Sequence, residues 1–145
     1  MYRKVLIPTD GSQLAEKAVR DGIAFAKTIG ARIVILTVSP PFHIFTLDPQ
    51  AVEDTPAQYK KRMGEYASRI LDAAAAAARA ARVKCDTVHL EHEHPYRAII
   101  NTAKLKKCDL IVMASHGRGG VSALLLGSET AKVLTHSKIP VLVHR

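Results

Sequence analysis

The 145-residue chain carries 21 lysines and arginines against 13 aspartates and glutamates, a formal net charge of +8, and is 48% hydrophobic. That size and balance fit one soluble domain with a full core. No apolar run exceeds Ala73 to Ala78, far short of the roughly 20 residues of a membrane span, and the N-terminus shows no secretory h-region, so a cytoplasmic protein with no membrane partner is expected.

Lys4 to Pro8 is a short apolar run and reads as a strand. Thr9 to Ser12 is a turn, with Ser12 placed to cap a helix. Leu14, Ala15, Ala18, Val19, Gly22, Ile23, Ala26 and Ile29 recur at helical spacing, and Gly30 follows as a C-terminal stop. Arg32 to Val38 is a β-branched run suited to a strand covered on both faces.

Ser39 to Asp54 is a loop holding Pro40, Pro41 and Pro49 together with Phe42, His43 and Phe45. Its apolar rings either cover a site or pack on the next helix. That helix opens at Thr55 and Pro56, a cap followed by proline at the first helical position. Tyr59, Met63, Tyr66, Ala67, Ile70, Leu71, Ala74, Ala78 and Ala81 trace its buried face. The alanine tract within it has high helix propensity.

Val83 to Leu90 alternates weakly, as a strand near a sheet edge does. Pro95 opens a further helix, with Ala98, Ile99, Thr102, Ala103 and Leu105 expected inside. Cys108 to Ala114 reads as a buried strand, Gly127 to His136 as a helix, and Ile139 to His144 as a final strand. Pro140 cannot donate to a ladder and argues for an edge.

Strands and helices thus alternate as β-α-β-α-β-α-β-α-β. This predicts an α/β fold: a parallel sheet with helices on both faces and ligands at the C-terminal strand ends. Those ends are Pro8 to Ser12, Val38 to Pro41 and Met113 to Arg118. The last leads through glycine-rich sequence to a helix opening at Gly127 and Ser128. Backbone N–H groups at a helix start lack internal partners and carry partial positive charge, and glycine lets an anion approach. A nucleotide phosphate is the expected ligand. Each residue also has a plainer explanation: Asp10 and Ser128 as caps, Gly117 as a left-handed turn.

Other chemistries find less support. No aromatics interleave with the basic clusters Lys60 to Arg62 and Lys104 to Lys107, so nucleic acid is not expected. Cys85 and Cys108 are expected reduced and unpaired. His89, His92 and His94 match no clean ligand face, so no protein-held metal site is expected. There is no Gly-x-x-x-x-Gly-Lys-Ser/Thr loop and no Gly-x-Ser-x-Gly elbow. A receiver-type phospho-acceptor would want acidic neighbours beside Asp10, and Asp109 lies at the wrong end of its strand. No catalytic set is legible, and at most slow turnover of a bound nucleotide is expected.

Ile7 to Ser12 after the first strand, Met113 to Arg118 after the fourth, Leu126 to Ser128, and Pro140 to Val143 together resemble the universal stress proteins, over essentially the whole chain. The resemblance implies a three-layer, Rossmann-like, adenine-nucleotide-hydrolase-like fold. Its open five-stranded parallel sheet has the order 3-2-1-4-5. One branch of that family binds ATP through Gly, two residues, Gly, nine residues, then Gly and Ser or Thr. Gly117, nine intervening residues and Gly127-Ser128 fit; Ala114 stands at the first glycine, the smallest step from it.

Carried over residue by residue, the resemblance implies that Pro8, Thr9 and Asp10 line the ribose or adenine wall. Val38 meets adenine, and Met113 and Ala114 border base and ribose. Gly117, Gly127, Ser128 and Glu129 serve the phosphates through backbone N–H groups. His116 and Arg118 add positive charge. Magnesium or manganese would enter on the phosphate oxygens. The family also suggests a homodimer, expected through the edge strand at Val141, Leu142 and Val143. The competing reading is a nucleotide-independent dimeric interaction module with a vestigial pocket.

Overall fold

A computed structural model describes residues 1–42, 54–117 and 126–145. Five strands, β1 (Lys4–Pro8), β2 (Arg32–Ser39), β3 (Cys85–Glu91), β4 (Leu110–Ala114) and β5 (Val141–His144), form one parallel sheet in the order β3-β2-β1-β4-β5. The helices are α1 (Gln13–Ile29), α2 (Pro56–Ala80), α3 (Pro95–Leu105) and α4 (Ser128–His136). The expected strand order and alternation are both present.

Local chemistry sets the boundaries. Ser12 adopts extended backbone, and its hydroxyl accepts from Ala15 N at 3.3 Å, capping α1. Gly30, at φ 70°, closes α1 in the left-handed region that glycine enters without a Cβ penalty. Thr55 and Gln58 form a reciprocal capping box at α2, with Pro56 in the first turn.

The central strands are apolar on both faces because helices cover both. Val5, Ile7, Ile33, Ile35, Leu110 and Val112 point to the side of α1 and α2, against Val19, Ile23, Leu71 and Ala78. Leu6, Val34, Leu36, Ile111 and Met113 point to the side of α3 and α4, against Ile99, Ala103 and Val133. Each fully buried Leu or Ile contributes about 1.5–3 kcal/mol of transfer free energy. Gly22 lets α1 lie low on the sheet: a Cβ there would stand 2.7 Å from Ile7 Cδ1 and 3.6 Å from Val112 Cγ1.

The expected boundaries shift by small amounts. β2 extends to Ser39, β3 runs Cys85–Glu91 rather than 83–90, and β4 and β5 begin at Leu110 and Val141. Gly127 is the N-cap of α4, outside the helix. Two side chains assigned to the interior are not there. Leu105 is 82% exposed, and Ile29 also lies at the surface. Both are last residues of their helices, where the chain leaves the packed face; Ile100 is buried in α3 instead. Cys85 and Cys108 are free, as expected.

Candidate functional site

The sheet is not uniformly laddered. β1 pairs with β2 from Lys4/Arg32 to Pro8/Leu36, and β4 pairs with β5 as far as Ala114/His144. Between β1 and β4, however, the register covers Val5/Leu110 and Leu6/Ile111 and goes no further. Pro8 has no N–H to extend it. The two central strands therefore part toward their C-terminal ends. This is also where the connections reverse direction, with α1 and α2 on one face and α3 and α4 on the other, the topological switch point at which open α/β sheets bind ligands.

On the β1 side, Thr9 N donates to Leu36 O at 2.8 Å, which anchors the turn to β2. Asp10 Oδ1 accepts from Ser12 N at 2.9 Å, and Gly11 takes φ 79°. From α2, the Tyr66 hydroxyl donates to Asp10 O at 2.9 Å. A Cβ on Gly11 would stand 2.8 Å from Ile70 and 2.9 Å from Tyr66 Oη. Turn and helix are thus locked together, with Asp10 half-buried at the crevice.

On the β4 side, Ser115 N donates to His144 O, and the Thr130 hydroxyl donates to Ala114 O at 2.9 Å. The loop then passes against Asp10. A Cβ on Gly117 would lie 2.6 Å from Asp10 Oδ2. Gly117 has no left-handed φ, so a close approach explains this glycine and a left-handed turn does not. Gly127 is equally confined: its Cβ would stand 3.2 Å from both His116 Cα and Ser115 O.

Gly127 N donates to Ser115 O at 2.7 Å. Gly127 therefore contributes closeness rather than a free donor. At the start of α4 there is no side-chain cap. Among the described residues, no acceptor stands on the N–H groups of Ser128, Glu129 or Thr130. These are three donors at the positive end of a helix dipole. Beside them, His116 Nδ1 meets Ser115 Oγ at 3.0 Å, while its Nε2 is buried with no hydrogen-bond partner among the described residues. A buried ring nitrogen without a partner is costly unless something supplies one.

Asp10 thus meets Gly117, and His116 meets Gly127 at the start of α4, while Pro8, Thr9 and Ala114 stand at the adjoining ends of β1 and β4. Val38 and Met113 turn their side chains to the α3/α4 core, and Met113 pairs with Val143 in the β4–β5 ladder. The Glu129 carboxylate accepts from Tyr96 N. Arg118, His43 and Phe45 lie outside the described residues; Phe42 packs edge-on against Tyr59 of α2 at 5.4 Å. Sequence reasoning missed Thr130, Tyr66 and Ser115. Gly11, which follows Asp10, did offer a signal, since Asp-Gly is a positive-φ dipeptide. His89 pairs with Ser39, and His92 Nδ1 accepts from His94 N. No group of three metal-type ligands converges among the described residues.

A model of the universal stress protein family matches residues 1–145. The chain belongs to the universal stress protein family. Universal stress protein MJ0531 of Methanocaldococcus jannaschii is 32% identical over 143 residues, 99% of this chain and 82% of that one. In structure, the hypothetical protein MJ0577 of the same organism, solved to assign its biochemical function, superposes with a TM-score of 0.83. Its identity to this universal stress protein is 29%, covering 99% of this chain and 95% of that one. A universal stress protein solved in complex with cAMP superposes with a TM-score of 0.70 at 27% identity, covering 99% and 97% of the two chains. The five-stranded fold is that of these structures.

Proposed function

We propose that this universal stress protein binds an adenine nucleotide, ATP first among them, in the crevice at the ends of β1, β2 and β4. It acts as a small cytoplasmic stress-response regulator rather than a dedicated enzyme. The observation that carries this reading is the approach of Gly117 to the Asp10 carboxylate, 2.6 Å for an added Cβ, beside an uncapped helix start. A carboxylate suited to ribose hydroxyls and donors suited to phosphate then face one cleft. The cAMP complex of a related protein supports the choice of adenine.

In this reading Asp10 takes the ribose, flanked by Pro8 and Thr9. The Val38 backbone meets the base, with Met113 and Ala114 at its border. Phosphates rest on the N–H groups of Ser128 and Glu129, beside Gly117 and Gly127, with His116 Nε2 as a further partner. Among the described residues no three metal-type ligands converge, and in this reading magnesium or manganese rides on phosphate oxygens. The protein pairs with a second copy through Val141, Leu142 and Val143, covering the sheet edge.

Mass spectrometry of ligand released from the denatured, purified protein tests the reading, together with ATP titration calorimetry with and without magnesium. Co-purified adenine nucleotide, or saturable ATP binding, supports it. Neither ligand nor heat of binding would overturn it in favour of a nucleotide-independent interaction module.

A further inference from the structure

The first turn of α4 has a second attachment, outside the crevice. Glu129 Oε2 accepts from Tyr96 N at 2.9 Å, across 33 residues of chain. Tyr96 lies in the first turn of α3, whose own N-cap, His94, makes no side-chain capping bond. A carboxylate on one helix thus caps another. Its second oxygen, Oε1, is 3.6 Å from Lys132 Nζ. Lys132 in turn lies over the Tyr96 ring at 5.6 Å, and His136 packs on that ring at 5.3 Å. Glu129, Lys132 and His136 are spaced i, i+3, i+7, one face of α4. Thr130 and Val133, on the neighbouring face, are buried toward the sheet. The start of α4 is therefore held in two directions, to β4 through Thr130 and to α3 through Glu129.

Resting on the nucleotide reading above, we infer that Glu129 is a positioning residue: its side chain ties α4 to α3 and so aims the Ser128 and Glu129 N–H groups at the phosphates. Unclasped, the same carboxylate would stand beside those phosphates and repel them. Clasped, its charge is turned onto the N-terminus of α3 and Lys132. The effect is selective for the phosphorylated part of a ligand, because the base and ribose walls are built on β1, β2 and β4, and β4 is joined to α4 through Thr130 rather than Glu129.

Titration calorimetry of ATP and of adenosine against wild type, Glu129→Ala and Glu129→Gln tests this, with amide hydrogen exchange of residues 128–131 in the ligand-free proteins. Glu129→Ala is expected to weaken ATP about tenfold, the scale of a lost cap, to leave adenosine unchanged, and to speed exchange of the first α4 turn. Glu129→Gln keeps an acceptor for Tyr96 N and is expected to restore both readouts. If both variants tighten ATP, the carboxylate acts as a free charge and the inference falls. Parallel loss of ATP and adenosine, or an unchanged ratio, reduces Glu129 to a structural contact. Wild type that binds neither compound overturns the nucleotide reading and this role with it; wild type that binds both with a variant-independent ratio overturns this role alone.

Discussion

Gly117 and the carboxylate of Asp10, 107 positions apart in the chain, are so close that a Cβ on the glycine would stand 2.6 Å from Oδ2. No real Cβ tolerates that distance, and Asp10 is not free to retreat, since its Oδ1 accepts from Ser12 N. Gly117→Ala is expected to displace the carboxylate, to cost about 1 kcal/mol of stability through the disturbed Ser12–Asp10 hydrogen bond, and to weaken ATP about tenfold or more. Calorimetry on a variant shown by melting to be folded checks this. Unaltered affinity would remove Asp10 from the ligand wall.

Gly127 presses on backbone, not on a flexible side chain. A Cβ would meet His116 Cα and Ser115 O at 3.2 Å each, so Gly127→Val must push the β4 loop away from α4. Overpacking of this kind costs about 1–3 kcal/mol. ATP binding is expected to be lost while the far-ultraviolet circular dichroism stays native. Retained binding would show that the loop and helix can separate without consequence.

At the sheet edge, Leu142 is 39% exposed on β5, a strand with one neighbour. Leu142→Lys places a charge on each copy of the same strand, and in the proposed two-fold pairing the two charges would meet. Light scattering is expected to move from dimer toward monomer. A wild type that is already monomeric, or a variant that remains dimeric, contradicts pairing through β5.

Asp109 ties the N-terminal residues to β4. Its carboxylate accepts from Arg3 N at 2.9 Å and from Lys4 N at 3.0 Å. Burial pushes its pKa upward, but those N–H donors and the N-terminal charge outweigh burial and hold it below the ordinary value. A depressed folded pKa contributes stability that is present above the unfolded value, about 3.9, and is lost as pH falls through the folded one. Asp109→Asn is expected to lower stability at neutral pH, by an amount that solvent screening of this part-exposed carboxylate keeps small, and to flatten the acid limb of the stability curve below about pH 4. Urea melts from pH 2 to 7 read both; equal slopes in variant and wild type would dismiss the linkage.

What could be read from the sequence was local. Ser12, Gly30 and Thr55 with Pro56 announce helix ends because caps act within four residues. The buried strands announce themselves because covering both faces leaves continuous apolar runs. Leu105 misled because the helical period continues through the last turn while the packed face does not. The reason for Gly117 was hidden, since its steric partner is Asp10 on another strand. Thr130 and Glu129 likewise look like ordinary polar residues of a helix start until Ala114 O and Tyr96 N are seen beside them.

The short β1–β4 register divides the sheet into two slabs, β3-β2-β1 and β4-β5, stitched by two residue pairs and strapped on one face by α1, which Gly22 lets settle onto Ile7 and Val112. A nucleotide bound as proposed would touch Asp10 on one slab and Gly117 with the start of α4 on the other. It would act as a rivet across the joint with the shortest strand register. Occupancy then raises the melting temperature by mass action, about 2.7 kcal/mol of added stability at a hundredfold excess over Kd. Were the proposed nucleotide bound there, the temperature at which this protein comes apart would gauge its occupancy.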